Sequence, residues 1–190
     1  MAPEITPSQT IGPFFHDALL DRDRSELVPP DHPRAIKVEG TVYDGAGEIV
    51  PDAMVEIWQA NTSGRYNHPA DERDDVPLDE EFSGFGRSGT REGGKFSFVT
   101  VKPGPVPGPD GTTQAPHIMV SVFTRGLLKR AVTRIYFPDE EERNAKDPVL
   151  QSIEDPELRG TLIARTEGGV LRFDVHLQGE HQTAFFGFGE

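Results

Sequence analysis

Regular alternation of apolar and polar side chains first appears at Ile36. Ile36, Val38 and Val42 share one parity, Lys37, Glu39, Thr41 and Tyr43 the other, and Asp44-Gly45-Ala46-Gly47 ends the run. A period of two bounded by turn residues predicts a half-buried strand. The same pattern predicts strands over Met54–Gln59, Lys95–Val101, His117–Phe123 and Arg130–Phe137, with Val55 and Ile57 on one face of the first and Trp58 on the other. A closing hairpin is expected from Thr161–Thr166, the turn Glu167-Gly168-Gly169 and Val170–Gln178. Helical signals are brief. Acidic residues from Asp139 to Glu142 suit the positive end of a short helix that Asp147-Pro148 stops, and Asp155-Pro156 supplies an N-cap and a first-turn proline for another turn ending at Gly160. The sum is an all-β fold, an antiparallel β-sandwich with short helices and long loops.

Three stretches lack periodicity. Residues 1–35, with Thr6-Pro7-Ser8-Gln9-Thr10-Ile11-Gly12-Pro13-Phe14-Phe15 near their start, combine apolar side chains with prolines that oppose a continuous helix. They read as an extended arm that packs on a partner chain, ahead of a sandwich domain over residues 36–190. Within the arm, Asp21-Arg22-Asp23-Arg24 reads as a solvated loop. Residues 60–91 are polar and rich in Gly and Asp, and a loop of that length is functional or an assembly surface. The tail from Thr183 to Phe188 exposes three phenylalanines unless it docks.

Composition narrows the function. With 190 residues the chain fits one domain. Its 20 Gly and 17 Pro favour short strands joined by turns over long helices. A net charge of −13 disfavours nucleic acid, whose phosphates need a basic footprint, and anionic membrane surfaces for the same reason. No apolar run approaches a membrane span, the first residues do not form a signal peptide, and a cytoplasmic protein is the expectation. The absence of cysteine removes disulfides, thiolate metal sites and a Cys nucleophile.

The chemistry concentrates between Lys102 and Met119, which read Lys-Pro-Gly-Pro-Val-Pro-Gly-Pro-Asp-Gly-Thr-Thr-Gln-Ala-Pro-His-Ile-Met. Residues two apart on a strand point to one side, so a His-x-His pair aims two imidazoles at one point. Here that face carries His117 and Met119. This segment resembles the metal site of the intradiol ring-cleavage dioxygenases. Further markers are Thr6–Pro13, Val55-Glu-Ile-Trp-Gln-Ala60, Gly64-Arg-Tyr66 and Thr133-Arg-Ile-Tyr-Phe137. In that family two tyrosinates and two histidines hold a ferric ion.

The resemblance places the four ligand positions at Tyr66, Val106, His117 and Met119, and an Arg near the iron at the position of Gln114. Valine has no donor atom, and a thioether is too soft for Fe(III). His68, two residues beyond Tyr66, is a further imidazole of unassigned direction. Without metal, Tyr66 is a packed loop tyrosine, His117 a satisfied buried histidine and Met119 an apolar plug.

The pattern implies an iron-free chain paired with a homologous iron-bearing beta chain, in a higher αβ oligomer. The cofactor is Fe(III), bound by the partner. The implied reaction is cleavage of a small catechol, 3,4-dihydroxybenzoate, by O2 to 3-carboxy-cis,cis-muconate in the degradation of aromatic compounds. Thr10, Gly12, Pro13 and Arg134 would line the partner's substrate pocket. Gly12-Pro13 gives a rigid bend poor in side chains, and Arg134 offers positive potential or an interface ion pair. Two other readings stay open: a non-catalytic sandwich module, and a self-sufficient metalloenzyme using Tyr66, His117 and His68.

Overall fold

A computed structural model describes residues 10, 12–21, 24–90 and 93–187. Most of the expected Thr6–Phe15 motif, including Ile11, lies outside these residues or has no described side chain, as does Phe188 of the tail.

Eleven strands carry the described fold: β1 (Ala35–Tyr43), β2 (Met54–Trp58), β3 (Phe85–Gly89), β4 (Lys95–Val101), β5 (Val106–Pro107), β6 (Thr113–Gln114), β7 (His117–Phe123), β8 (Ala131–Tyr136), β9 (Arg165–Glu167), β10 (Val170–Arg172) and β11 (Val175–His176). One sheet, ordered β3-β2-β7-β8, is antiparallel throughout. In the other, β1 pairs antiparallel with β4 along one edge and parallel with β10 and β11 along the opposite edge. The sandwich is therefore mainly antiparallel, with a parallel seam where the chain's end returns to its first strand.

The sheets meet through the faces that alternation marks. Val38, Val42, Phe96 and Phe98 from one sheet pack with Val55, Ile57, Ile118, Val120, Val122 and Ile135 from the other in a single buried cluster. Removing such side chains from water is the main favourable term for folding. A second cluster, with Tyr136, Leu150 and Leu162 at its centre, covers the outer face of the antiparallel sheet near β8. It is built by three short helices, α2 (Glu141–Asn144), α3 (Pro148–Gln151) and α4 (Pro156–Gly160).

Several expectations need correction. The arm contains a helix, α1 (Pro13–Leu20), because its proline sits at the first helical position, where a missing N–H costs nothing. The long loop of residues 60–91 contains β3, which pairs with β2 along its whole length and closes through Arg87 and Glu56, 2.6 Å apart. Asp147-Pro148 does not simply stop a helix. Asp147 caps α3, accepting from the Val149 and Leu150 N–H groups. Thr161–Ala164 is not a hairpin arm, although Leu162 and Ala164 bond the edge of β8 at Tyr136. The described part of the tail docks: Thr133 Oγ1 donates to the Ala184 carbonyl and the Phe186 N–H to the Val132 carbonyl, so Phe185 and Phe186 pack on the two clusters. Among the described residues no helix is long and apolar enough to cross a membrane.

Candidate functional site

The outer face of the antiparallel sheet holds the site. Trp58 on β2 faces Met119 on β7, and Met119 faces Arg134 on β8. One step along, His117 faces Tyr136. Two loops rise over this row and border an open cavity of about 480 Å³, within the range of about 300–1,000 Å³ usual for small-molecule sites.

The first loop is fixed by its backbone. Asn61 Oδ1 accepts from the Ser63 and Arg65 N–H groups, and the Asn61 carbonyl accepts from Gly64 and Gly104. Gly64 has φ +85°, and a Cβ there would lie 2.0 Å from the Pro105 carbonyl oxygen. The Gly64-Arg65-Tyr66 and Lys102–Pro105 motifs thus dock backbone to backbone, which carries Tyr66 and Val106 to the same cavity. A clip completes the loop. Arg73 donates through Nε and Nη2 to the two oxygens of Asp71 at 2.7 and 2.6 Å and through Nη2 to the Gly64 carbonyl, while Asp71 accepts from the Tyr66 N–H. The Arg73 guanidinium, with the Tyr66 N–H, holds the Asp71 carboxyl at about 2, below the usual carboxylate range.

All four positions implied as ligands line this cavity: Tyr66, Val106, His117 and Met119. Arg134 and Gln114 join them, and Arg134 Nη1 donates to Gln114 Oε1 at 2.7 Å and to Tyr136 Oη at 3.1 Å. Tyr136 in turn donates to Asp147, which is fully buried and also accepts from the Ala115 N–H just before β7. Arg134 is therefore braced through Tyr136 against a buried carboxylate. His117 is buried, and its Nδ1 donates to the Ala115 carbonyl at 2.8 Å, since a carbonyl only accepts. Burial first, then the Arg134 cation, lowers its pKa to about 4, so the imidazole is neutral at neutral pH. Burial raises the Tyr66 phenol, which keeps it protonated. Its ring lies parallel to Trp58 with centroids 5.9 Å apart, and His68 meets Trp58 edge-on at 6.2 Å, so His68 also points into the cavity.

These donors do not fit a ferric ion. Val106 and Met119, at two of the four implied ligand positions, offer no hard ligand. Among the described residues no group of three or more His, Cys, Asp or Glu side chains could hold a metal.

The arm residues lie elsewhere. The Thr10 hydroxyl bonds the Thr124 carbonyl and the Gly126 N–H, beyond the end of β7 opposite His117. At about 3.3 Å per strand residue, that is roughly 20 Å from the cavity. Gly12 is the N-cap of α1 and Pro13 its first residue. The structure thus unites Arg134 with the degenerate ligand positions and separates it from Thr10 and Gly12. Sequence reasoning missed Arg73 and Asp71, which carry no periodic signal. It placed Trp58 on the face opposite Val55 and Ile57 without linking it to the site.

Comparison with known proteins gives the family. A family described as Dioxygenase matches residues 11–179. The chain is 42% identical, over 96% of each chain, to the protocatechuate 3,4-dioxygenase alpha chain of Pseudomonas putida. It is also 37% identical to the protocatechuate 3,4-dioxygenase beta chain of Burkholderia cepacia, over 93% of this chain and 77% of that one. Among solved structures, the dioxygenase domain of a dioxygenase carbohydrate-binding protein fusion from Streptomyces sp. SirexAA-E matches with a TM-score of 0.58 and 26% identity over 94% of both chains.

Proposed function

This chain belongs to the intradiol dioxygenase family, and from that premise we propose that it is an iron-free, alpha-type subunit. It completes a heteromeric enzyme that cleaves 3,4-dihydroxybenzoate with O2 in the cytoplasm, and Fe(III) is held by a homologous beta chain. The observation that carries this reading is the cavity itself. It keeps the family's frame, yet places Val106 and Met119 where hard donors are needed. Likeness to both an alpha and a beta chain supports a paired assembly, and closed symmetric oligomers are its usual outcome.

When bound by the partner, ferric ion supplies the Lewis acidity that makes a chelated catechol reactive toward dioxygen. This chain's part is positioning. Gly12-Pro13 lets backbone approach a flat ring closely and Thr10 anchors that bend to the sandwich, while Arg134, roughly 20 Å away on the same chain, offers positive potential to the substrate's carboxylate from another copy in the oligomer. Correct placement of reactants affects rate strongly even where the chemistry belongs to another group.

The test is co-expression with a homologous beta-type chain. We expect a complex that co-purifies and takes up oxygen with 3,4-dihydroxybenzoate, with neither chain active alone. Failure of the two to associate, or full activity of the beta chain without this one, would overturn the reading.

A further inference from the structure

We propose that Asp110 is a modification site, where the folded chain isomerises from aspartate to isoaspartate through a cyclic imide formed with Gly111. The inference stands apart from the subunit reading, because it concerns one exposed turn and needs neither partner nor iron.

Backbone conformation is the first argument. Asp110 lies in the turn that joins β5 to β6, and among the described residues it alone has a positive φ without being glycine, at φ 53° and ψ 33°. A residue with a Cβ is strained in this left-handed region, whereas Gly111, at φ +75°, is not. Residues 109–113 are all exposed. The turn is closed around Asp110 and not through its side chain: the Gly108 N–H donates to the Thr112 carbonyl, and the Thr112 N–H and hydroxyl donate to the Pro109 carbonyl. Among the described residues the Asp110 carboxylate has neither a hydrogen bond nor an ion pair. A Cβ built on Gly111 would meet no atom within 4 Å, so the flank of the peptide bond is open.

The chemistry needs only water. The Gly111 nitrogen attacks Cγ of Asp110, an N–Cγ bond forms and a Cγ–O bond breaks. One water leaves, made of the carboxyl's OH and the amide proton. Water then opens the five-membered imide at either carbonyl. Attack at Cγ restores aspartate, and attack at the main-chain carbonyl carbon leaves Gly111 joined through Cγ, with one carbon more in the main chain. Ring closure turns Asp110 out of the left-handed region, so its strain is released on the way to the imide. The chain's other Asp-Gly pair, Asp44-Gly45, is a built-in contrast. Asp44 Oδ1 accepts from the Ala46 and Glu48 N–H groups, and the Asp44 N–H donates to the Glu48 carbonyl. Closure there must break these bonds. Because β5 and β6 carry Val106 and Gln114, isomerisation at Asp110 lengthens the connection behind one wall of the cavity.

The full chain is incubated at neutral pH and physiological temperature in heavy-oxygen water, folded and, separately, unfolded in denaturant. Each sample is then digested and mapped by mass spectrometry with electron-transfer fragmentation, which distinguishes isoaspartate from aspartate. In the folded chain we expect isoaspartate and heavy oxygen to accumulate at Asp110 at least about tenfold faster than at Asp44, the factor that release of a left-handed conformation is worth. In denaturant, where both pairs lose their surroundings, the two rates should converge. The comparison is internal to one protein and needs no variant. Equal rates at the two pairs in the folded chain, faster reaction at Asp44, or no isoaspartate at Asp110 over the time in which the unfolded chain reacts would each overturn the proposal. Inactivity of the co-expressed complex would instead count against the subunit reading alone.

Discussion

Acid should destabilise the fold through His117. The imidazole sits at the start of β7, buried, with Nδ1 satisfied by the Ala115 carbonyl and the Arg134 cation nearby. Its pKa falls from 6.5 to about 4, chiefly through burial. Between those values the unfolded chain binds a proton that the folded chain refuses, so stability falls as pH drops. For a group with these two values, linkage removes about 2 kcal/mol of stability between about pH 7.5 and about pH 5. The assay is urea denaturation of the parent and of His117→Gln at both pH values. The variant loses stability at each pH, but it lacks the titrating group. We expect the parent's stability to fall by about 2 kcal/mol more than the variant's over this interval. Equal losses in the two proteins would refute the reading of His117 as a buried neutral imidazole.

Further outcomes follow from the same geometry. Asp147→Ala removes the α3 cap and leaves the Ala115 N–H and the Tyr136 hydroxyl without their acceptor, so a loss of about 2–4 kcal/mol is expected in thermal or urea unfolding. Gly64→Ala forces a left-handed backbone on a residue whose Cβ would meet the Pro105 carbonyl at 2.0 Å. A destabilisation of at least about 2 kcal/mol with a shift in Trp58 emission checks that. Asp71→Asn opens the clip on Arg73 and should speed limited proteolysis within residues 66–84 at neutral pH. In the parent, the contribution of that clip is present above the ordinary carboxylate range and is lost as pH falls toward about 2. Arg134→Ala in the co-expressed complex should weaken turnover of 3,4-dihydroxybenzoate while leaving iron content unchanged, read by steady-state kinetics and elemental analysis.

The strands that alternation marks cleanly, β4 and β7, appear with the expected bounds because their apolar parity is the core face. β3 is different. Phe85-Gly86-Arg87-Ser88-Gly89 has two glycines and one large apolar side chain, so its strand form comes from pairing with β2 and from the Arg87–Glu56 bridge. Helix α1 was hidden by Pro13, a residue that ends helices in the interior and begins them at the first position. Six of the cavity's side chains, Tyr66, Val106, Gln114, His117, Met119 and Arg134, were legible through short motifs. The Trp58–Tyr66 stack and the Asp71–Arg73 clip were not, since both arise from how a loop folds back over the sheet. The parallel seam of β1 with β10 and β11 is likewise a matter of long-range pairing, which local patterns do not encode.

The donor set around Met119 and Val106 does not fit ferric ion in this chain. Elemental analysis and a visible spectrum of the full chain, expressed alone in iron-replete medium, test it most directly. We expect iron far below stoichiometric and no tyrosinate-to-iron absorption band. A coloured preparation with stoichiometric, tightly bound iron would contradict the claim.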